Sequence, residues 1–284
     1  PGDWSAAGAS RVVRSLRNRR RRASPGGRGT ATLAPMAVYE RGDISIYYEE
    51  HGNGFPLLLL APGGLNSTVG FWSRMPINPL ELFPDQYHVI AMDQRNAGRS
   101  AGPLPTEDPW GGYADDQLGL MDHLGIDRFL TLGCCIGCSF ILKLVERAPE
   151  RVVAGIMEQP IGTDETNAGF FGSESRMHTQ WAEDLLAQRS DVTADDVDTF
   201  GRHMWADQFV FSVPREFLAT VSHPLLVCPG NDAAHPKGVG LEVARLLPNA
   251  ELLENWKEPP ELIPQTVQKM SQFLAAYTPR QEAP

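Results

Sequence analysis

The sequence lacks several features that would define its class. No apolar run approaches the ~20 residues that a helix needs to cross a bilayer, so no membrane partner is expected. There is no apolar signal-peptide core near the N-terminus, and the four cysteines are too clustered for the disulfide framework of a secreted protein. We therefore expect a reducing, cytoplasmic location. No histidine occurs after His235, an absence that bears on the chemistry considered below.

Positive charge is scarce outside the first 35 residues. Residues 1–35 hold eight arginines and one acid, Asp3, a formal charge of +7, and since the whole chain carries −10, residues 36–284 carry −17. An acidic body is a poor binder of nucleic acid, so no nucleic-acid partner is expected. The Arg-rich segment predicts a disordered N-terminal extension, either an organellar leader or an upstream addition before Met36.

The remaining 36–284 region alternates between strand and helix patterns. Residues 57–61 are a short apolar run typical of a buried parallel strand, and similar runs recur along the chain with helical stretches between them. This alternation predicts an α/β domain, with a mostly parallel sheet covered by helices on both faces. Residues 162 to about 218 interrupt the rhythm with aromatic-rich helical segments, which we interpret as a helical cap.

One short segment between a predicted strand and a predicted helix carries a candidate nucleophile. Gly133-Cys134-Cys135-Ile136-Gly137 has the small-x-nucleophile-x-small pattern of a sharp strand-to-helix turn. Cys135 is the predicted nucleophile, because a helix N-terminus lowers the pKa of a thiol. Two other readings remain: a buried structural cysteine, and a C-x-x-C redox pair with Cys138. No histidine pair follows at zinc-ligand spacing, so neither a metal nor a cofactor is expected.

Three motifs, taken in order, resemble those of the α/β-hydrolase superfamily from about Val38 to Ala276. They are the glycine turn Ala61-Pro62-Gly63-Gly64, the turn Asp93-x-Arg95-x-x-Gly98-x-Ser100, and the turn around Cys135. The resemblance implies the α/β-hydrolase fold with a cap. It also implies an enzyme acting on ester-type bonds, with cysteine in place of the usual serine.

The resemblance implies roles for further residues. The oxyanion hole would use the backbone N–H of Ile136 and one from the Gly63–Leu65 turn, with Gly64 and Leu65 as the named candidates. Pro229-Gly230-Asn231-Asp232 resembles the loop that carries the triad acid, and Glu158 occupies the alternative acid position. The family expects its histidine after the last strand, where this chain has Asn255-Trp256-Lys257-Glu258-Pro259. His235, three residues after Asp232, is the best candidate for a relocated base.

Large apolar side chains in the cap predict a substrate-binding surface for a hydrophobic acyl or ring group. The candidates are Phe171, Trp181, Met204 and Trp205. The sequence therefore predicts a cysteine-dependent hydrolase of an ester, thioester or lactone, with a small-molecule substrate as its partner and no prediction of oligomeric state. Two alternatives remain: an acyltransferase or lyase-type enzyme on the same fold, and a non-catalytic binding protein that has lost the standard histidine.

Overall fold

The computed structural model describes residues 37–206 and 209–280, so the predicted extension 1–35 lies outside the described residues. The described chain forms one eight-stranded sheet in the order β1-β2-β4-β3-β5-β6-β7-β8. The strands are β1 Ala37–Arg41, β2 Ile44–His51, β3 Phe55–Leu60, β4 Tyr87–Met92, β5 Phe129–Cys134, β6 Val152–Glu158, β7 Leu225–Cys228 and β8 Ala250–Leu252.

The sheet is mostly parallel, which confirms the predicted fold class. β1 pairs antiparallel with β2 and β2 antiparallel with β4, whereas every pair from β4 to β8 is parallel. Strand β3 lies between β4 and β5. The chain passes from β3 to β4 on one side, and then crosses over β3 to β5 on the other side, so the strand order reverses at β3. Ligand sites of open α/β sheets lie at the carboxyl ends of strands beside such a switch point. The end of β5 therefore lies where a site is expected.

Helices cover both faces of the sheet. They are α1 Pro79–Leu82, α2 Pro109–His123, α3 Ile136–Arg147, α4 Arg176–Gln188, α5 Ala194–Met204, α6 Lys237–Leu246 and α7 Ile263–Tyr277. The apolar run of β3 serves both faces: Leu58 and Leu60 pack with α2 and α3, and Leu57 and Leu59 pack with α7. This explains why β3 reads as a continuous apolar run rather than an alternating one.

The segment between β6 and β7 carries the additional helices that were interpreted as a cap. It contains α4, α5 and a 3₁₀ turn, Arg215–Thr220. The first turn of α4 overlies the glycine turn after β3, where a Cβ added to Gly64 would lie 2.7 Å from the Met177 sulfur. No helix within the described ranges is long and apolar enough to cross a membrane.

The glycine turn after β3 is held by hydrogen bonds to the turn after β4. Ser67 Oγ donates to the Ala61 carbonyl at 2.7 Å, and the Gln94 N–H donates to the Ser67 carbonyl at 3.0 Å. Asp93, 1% exposed, accepts the Val69 N–H at 2.8 Å. A buried carboxylate satisfied in this way fixes the two loops relative to each other at the carboxyl edge of the sheet.

Candidate active site

The turn between β5 and α3 holds Cys135 in a strained conformation. Its φ is 60° and its ψ −120°, a region that residues with a side chain rarely adopt. A Cβ on Gly137 would lie 2.1 Å from the Leu60 carbonyl oxygen, and one on Gly133 2.4 Å from the Gly137 carbonyl oxygen. Only glycine fits at these two positions, so the turn stays tight. Cys135 lies at the N-terminus of α3 and is partly exposed as a residue, although its surroundings still desolvate the thiol.

Two backbone N–H groups act on the Cys135 sulfur. They belong to Ile136 and to Gly63 in the glycine turn. Both lie in the segments predicted to supply the oxyanion donors, and the two named candidates of the turn, Gly64 and Leu65, open the 3₁₀ segment Gly64–Asn66 one step further along the chain. Gly63 has φ 123° and ψ 8°, a conformation that the sequence pattern alone could not specify. Its N–H is the one that interacts with the sulfur.

His235 lies in the loop between β7 and α6 and is 9% exposed. Its Nδ1 lies 2.8 Å from Asp232 Oδ1, and the same oxygen accepts the backbone N–H groups of Ala234 at 2.9 Å and His235 at 3.0 Å. A Cβ on Gly230 would lie 2.2 Å from the His235 Cβ, so the missing side chain makes room for this histidine. Asp232 therefore orients the ring and fixes the loop that carries it.

The other ring nitrogen of His235 faces Cys135. This Nε2 is buried without a hydrogen bond of ordinary geometry, but the ring and the sulfur interact directly. Burial raises the pKa of Cys135, yet the charge and side chain of His235, with the N–H groups of Gly63 and Ile136, lower it overall. Burial lowers the pKa of His235, whereas Cys135 and Asp232 raise it to about 9. Each group thus shifts the pKa of the other toward its charged form, the thiolate for Cys135 and the imidazolium for His235.

Asp232 is the acid that the structure places beside the histidine. Although burial opposes it, the hydrogen bond and charge of His235, followed by the charge of Lys257, lower the pKa of Asp232 to about 2. Its side chain is about half exposed, at 52%. Asp232 is therefore ionised throughout the range in which the His235 ring changes its charge.

Glu158, the alternative acid, does not contact His235 in the described interactions. It ends β6, is fully buried, and its two carboxyl oxygens make no hydrogen bond of ordinary geometry. Burial raises its pKa to about 8, opposed by the charge of Lys257 and by the Cys134 thiol. Its backbone carbonyl accepts the Cys135 N–H at 3.0 Å, so Glu158 supports the turn through its main chain.

Sequence reasoning missed Lys257, which follows β8 where the resemblance expects histidine. Its Nζ donates to Gln159 Oε1 at 2.6 Å, and its charge acts on both Asp232 and Glu158. The neighbouring Trp256 donates from Nε1 to the Pro229 carbonyl at 2.8 Å. The one available signal was its position after the last strand. The loop after β8 thus supports the loop that carries the acid and the histidine.

The four predicted substrate-binding residues of the cap divide into two groups. Met204 is fully buried and Trp181 is 2% exposed, so both belong to the packed interior of the cap rather than to an accessible lining. Trp205, 7% exposed, packs against Phe171 with ring centroids 5.6 Å apart, and Phe171 is partly exposed. Phe171 is thus the most exposed of the four candidates. Met177, which lies over the glycine turn, is a further apolar side chain that is partly exposed.

No group of three or more His, Cys, Asp or Glu side chains within residues 37–206 and 209–280 is arranged to hold a metal ion.

Comparison with known proteins agrees with this architecture. The family model described as the alpha/beta hydrolase fold matches residues 56–208. Among curated proteins, the "Putative carbamate hydrolase RutD" of Azorhizobium caulinodans is 33% identical over 120 residues, which is 41% of this chain and 42% of that protein. A "Probable proline iminopeptidase" of Leptolyngbya boryana is 28% identical over 132 residues, covering 43% and 39%. The chain thus spans about two-fifths of the length of the curated relatives it matches.

Solved structures resemble the chain over most of its length. A meta-cleavage product hydrolase of Pseudomonas fluorescens IP01 superimposes with a TM-score of 0.59 at 18% identity, covering 82% of this chain and 95% of that one. An enzyme described as degrading N-acyl homoserine lactones gives a TM-score of 0.58 at 22% identity, covering 83% and 99%. At such identities the likeness establishes the fold.

Proposed function

Since the chain belongs to the α/β-hydrolase fold family, we propose that it is a cysteine-dependent hydrolase of esters, thioesters or lactones with a hydrophobic acyl or ring portion. The observation that carries the proposal is the contiguous set of Cys135, His235 and Asp232, with the N–H groups of Ile136 and Gly63 at the sulfur. A nucleophile, a base and an orienting acid in this order are the parts that covalent acyl transfer requires.

The first half-reaction forms an acyl-enzyme on Cys135. The thiolate attacks the carbonyl carbon, and the developing oxyanion takes the place near Ile136 N–H and Gly63 N–H, where two donors stabilise it. The His235 imidazolium donates its Nε2 proton to the leaving oxygen or sulfur. Asp232, bonded to Nδ1, stabilises the charged ring before this transfer and keeps the correct tautomer after it.

The second half-reaction releases the acid. Once His235 has lost its proton, the neutral ring acts as general base toward a water molecule that attacks the thioester carbonyl. The same two N–H groups stabilise the second oxyanion, and the proton taken from water returns the imidazolium beside the restored thiolate. A base next to the sulfur can activate water, so hydrolysis of the acyl-enzyme is better supported than an acyl-enzyme that water does not release.

The proposed substrate class rests on apolar side chains of the cap segment. Met177 lies over the glycine turn and is partly exposed, and Phe171 in the same segment is also partly exposed, so they favour an aliphatic or aromatic acyl group. A carbamate is included as a comparison substrate because a curated relative, matched over about two-fifths of its length, is named a putative carbamate hydrolase. A carbamate carbonyl is less electrophilic than that of an ester, and we expect slower acylation by it.

The test follows the acyl-enzyme directly. The protein would be mixed with p-nitrophenyl esters of increasing acyl length, an acyl thioester, a lactone and an aryl carbamate. Product release and the intact mass of the protein would be followed together. We expect turnover of the esters and a transient acyl mass on the peptide containing Cys135. Cys135→Ala should abolish both, whereas Cys134→Ala, the neighbouring buried thiol, should retain both.

Two results would contradict the proposal. Undiminished turnover in the Cys135→Ala variant would exclude the thiol as nucleophile. Binding of all substrates without any acyl mass or product would favour a binding protein. Addition of amine or thiol acceptors separates acyl transfer from hydrolysis, because only a transferase forms the acceptor adduct at the expense of the free acid.

A further inference from the structure

The turn that carries Cys135 holds a second thiol that acyl transfer does not use. Cys138 lies in the first turn of α3 and is 1% exposed. Its N–H donates to the Cys135 carbonyl at 3.1 Å, which closes a tight turn. A turn of this kind keeps its first and fourth Cα atoms within about 7 Å, and disulfides span Cα separations of about 4.4–6.8 Å.

The Cys138 side chain points back toward the turn. Its sulfur lies 3.2 Å from the Glu158 carbonyl oxygen and 3.4 Å from the Gly133 carbonyl oxygen. The same Glu158 oxygen accepts the Cys135 N–H at 3.0 Å, and that N–H also interacts with the Cys138 sulfur. The second thiol is thus placed against the backbone of the first.

The two thiols differ in protonation. The pKa of Cys135 is lowered despite its burial, because His235 and two N–H groups act on it. Burial raises the pKa of Cys138 well above its ordinary value. Oxidants attack thiolates rather than thiols, so Cys135 is oxidised first and Cys138 remains available as a thiol.

The other two cysteines are poorly placed to pair with Cys135. Cys134 precedes it on β5 and is fully buried in the core on the α7 face of the sheet. Cys228 is fully buried on β7, two strands away from β5, a distance of about 9–10 Å across the sheet. Of the three, Cys138 is the one whose backbone N–H donates to the Cys135 carbonyl in the first turn of α3.

We propose that Cys135 and Cys138 form a reversible oxidative modification site for a peroxide. The Cys135 thiolate attacks one oxygen of the peroxide, so an S–O bond forms and the O–O bond breaks. Sulfur loses two electrons and becomes a sulfenic acid. The second peroxide oxygen leaves as hydroxide or alkoxide and takes up a proton to give water or an alcohol. The Cys138 sulfur then attacks the sulfenic sulfur. An S–S bond forms, the S–O bond breaks, and hydroxide leaves with the Cys138 proton as water. A dithiol restores both thiols by exchange.

The disulfide has a protective consequence. A sulfenic acid that meets more peroxide becomes a sulfinic acid, which ordinary thiols do not reduce. Pairing with Cys138 stops Cys135 at the reversible stage. The first turn of α3 must move to allow the pairing, because Cys138 gives up its contacts with the Gly133 and Glu158 carbonyls.

The experiment treats the full chain with hydrogen peroxide and measures the peptide spanning residues 129–143 by mass, so that its outcome does not depend on hydrolase activity. We expect the wild type to lose two hydrogens and to recover them with dithiothreitol. Cys138→Ser, which keeps a donor for both carbonyls, should instead gain two oxygens that dithiothreitol does not remove. Cys228→Ala, another buried thiol, is the matched control and should behave as the wild type.

The wild type also provides a test that is independent of how any variant folds. After peroxide treatment, unfolding and alkylation, Cys134 and Cys228 should be labelled fully while Cys135 and Cys138 are not. Loss of two hydrogens that persists in Cys138→Ser, or a wild type that forms sulfinic acid as fast as that variant, would overturn the proposal. Protection of Cys134 in place of Cys138 would do the same.

Discussion

Replacing His235 with glutamine is expected to raise the pKa of the Cys135 thiol. Burial by itself raises that pKa, and the charge of His235 is the largest of the effects that oppose burial. Glutamine is close to histidine in size, and its amide can bond to Asp232, but it carries no charge. The substitution therefore removes the electrostatic support and leaves the burial penalty in place.

The size of the effect can be worked out from the charges. Two unit charges about 4 Å apart at an effective dielectric constant of ~20 interact by about 4 kcal/mol, which corresponds to roughly 3 pKa units. The N–H groups of Ile136 and Gly63 remain and moderate the loss. We expect the pKa of Cys135 to rise by about 2–3 units, which lowers the acid dissociation constant of the thiol by about 100- to 1000-fold.

The assay is the rate of iodoacetamide labelling of Cys135 as a function of pH, read by peptide mass. His178→Gln is the matched control, because His178 is also buried, at 3% exposure, but accepts a hydrogen bond from Trp205 in the cap. A labelling midpoint that stays within about half a unit of the wild type in His235→Gln, or an equal shift in the control, would refute the ion-pair reasoning.

Three further outcomes are expected. Asp232→Asn should lower kcat/KM by roughly 10²-fold, because the ring loses its orienting acceptor, whereas Glu158→Gln should change it little, as steady-state kinetics would reveal. Melting temperature should fall more steeply between pH 5 and 8 in the wild type than in Glu158→Gln. The Glu158 carboxyl has a pKa raised to about 8 in the folded state and about 4.3 in the unfolded state, so it destabilises the fold as pH rises through this range, whereas the raised pKa of His235 acts in both proteins. Gly137→Ala should cost about 3 kcal/mol or more, seen as a fall in Tm of about 10 °C, because its Cβ would lie 2.1 Å from the Leu60 oxygen, while Gly70→Ala, with no atom closer than 3.9 Å, should be nearly neutral.

The fold was predictable because its signals are local. Apolar runs and their spacing predict β3 and β5 as buried parallel strands, and the glycines around Cys135 predict a tight turn there. The pairing of His235 with Asp232 was also predictable, because two residues three positions apart in one loop lie close in space. Their 2.8 Å contact follows from proximity in sequence.

The parts that sequence reasoning missed depend on backbone direction and on packing between distant segments. Which N–H of the glycine turn reaches the sulfur depends on the φ of Gly63, 123°, a value that glycine permits but does not by itself specify. Met204 and Trp181 look like lining residues in a cap pattern, but Met204 meets Trp110 of α2, whose Nε1 donates to the Met204 carbonyl at 2.9 Å. No local pattern distinguishes an apolar residue that lines a pocket from one that fills a core.

The role proposed for His235 imposes a requirement on the rest of the molecule, because the loop between β7 and α6 must hold the ring in place. The loop after β8 meets that requirement. Asn231 Nδ2 donates to Glu258 at 2.7 Å, Trp256 to the Pro229 carbonyl, and Lys257 to Gln159. The segment after the last strand, where the family resemblance led us to expect a histidine, thus supports the loop that carries His235. Lys257 adds a positive charge that lowers the pKa of Asp232, and an ionised Asp232 is what its proposed orienting role requires.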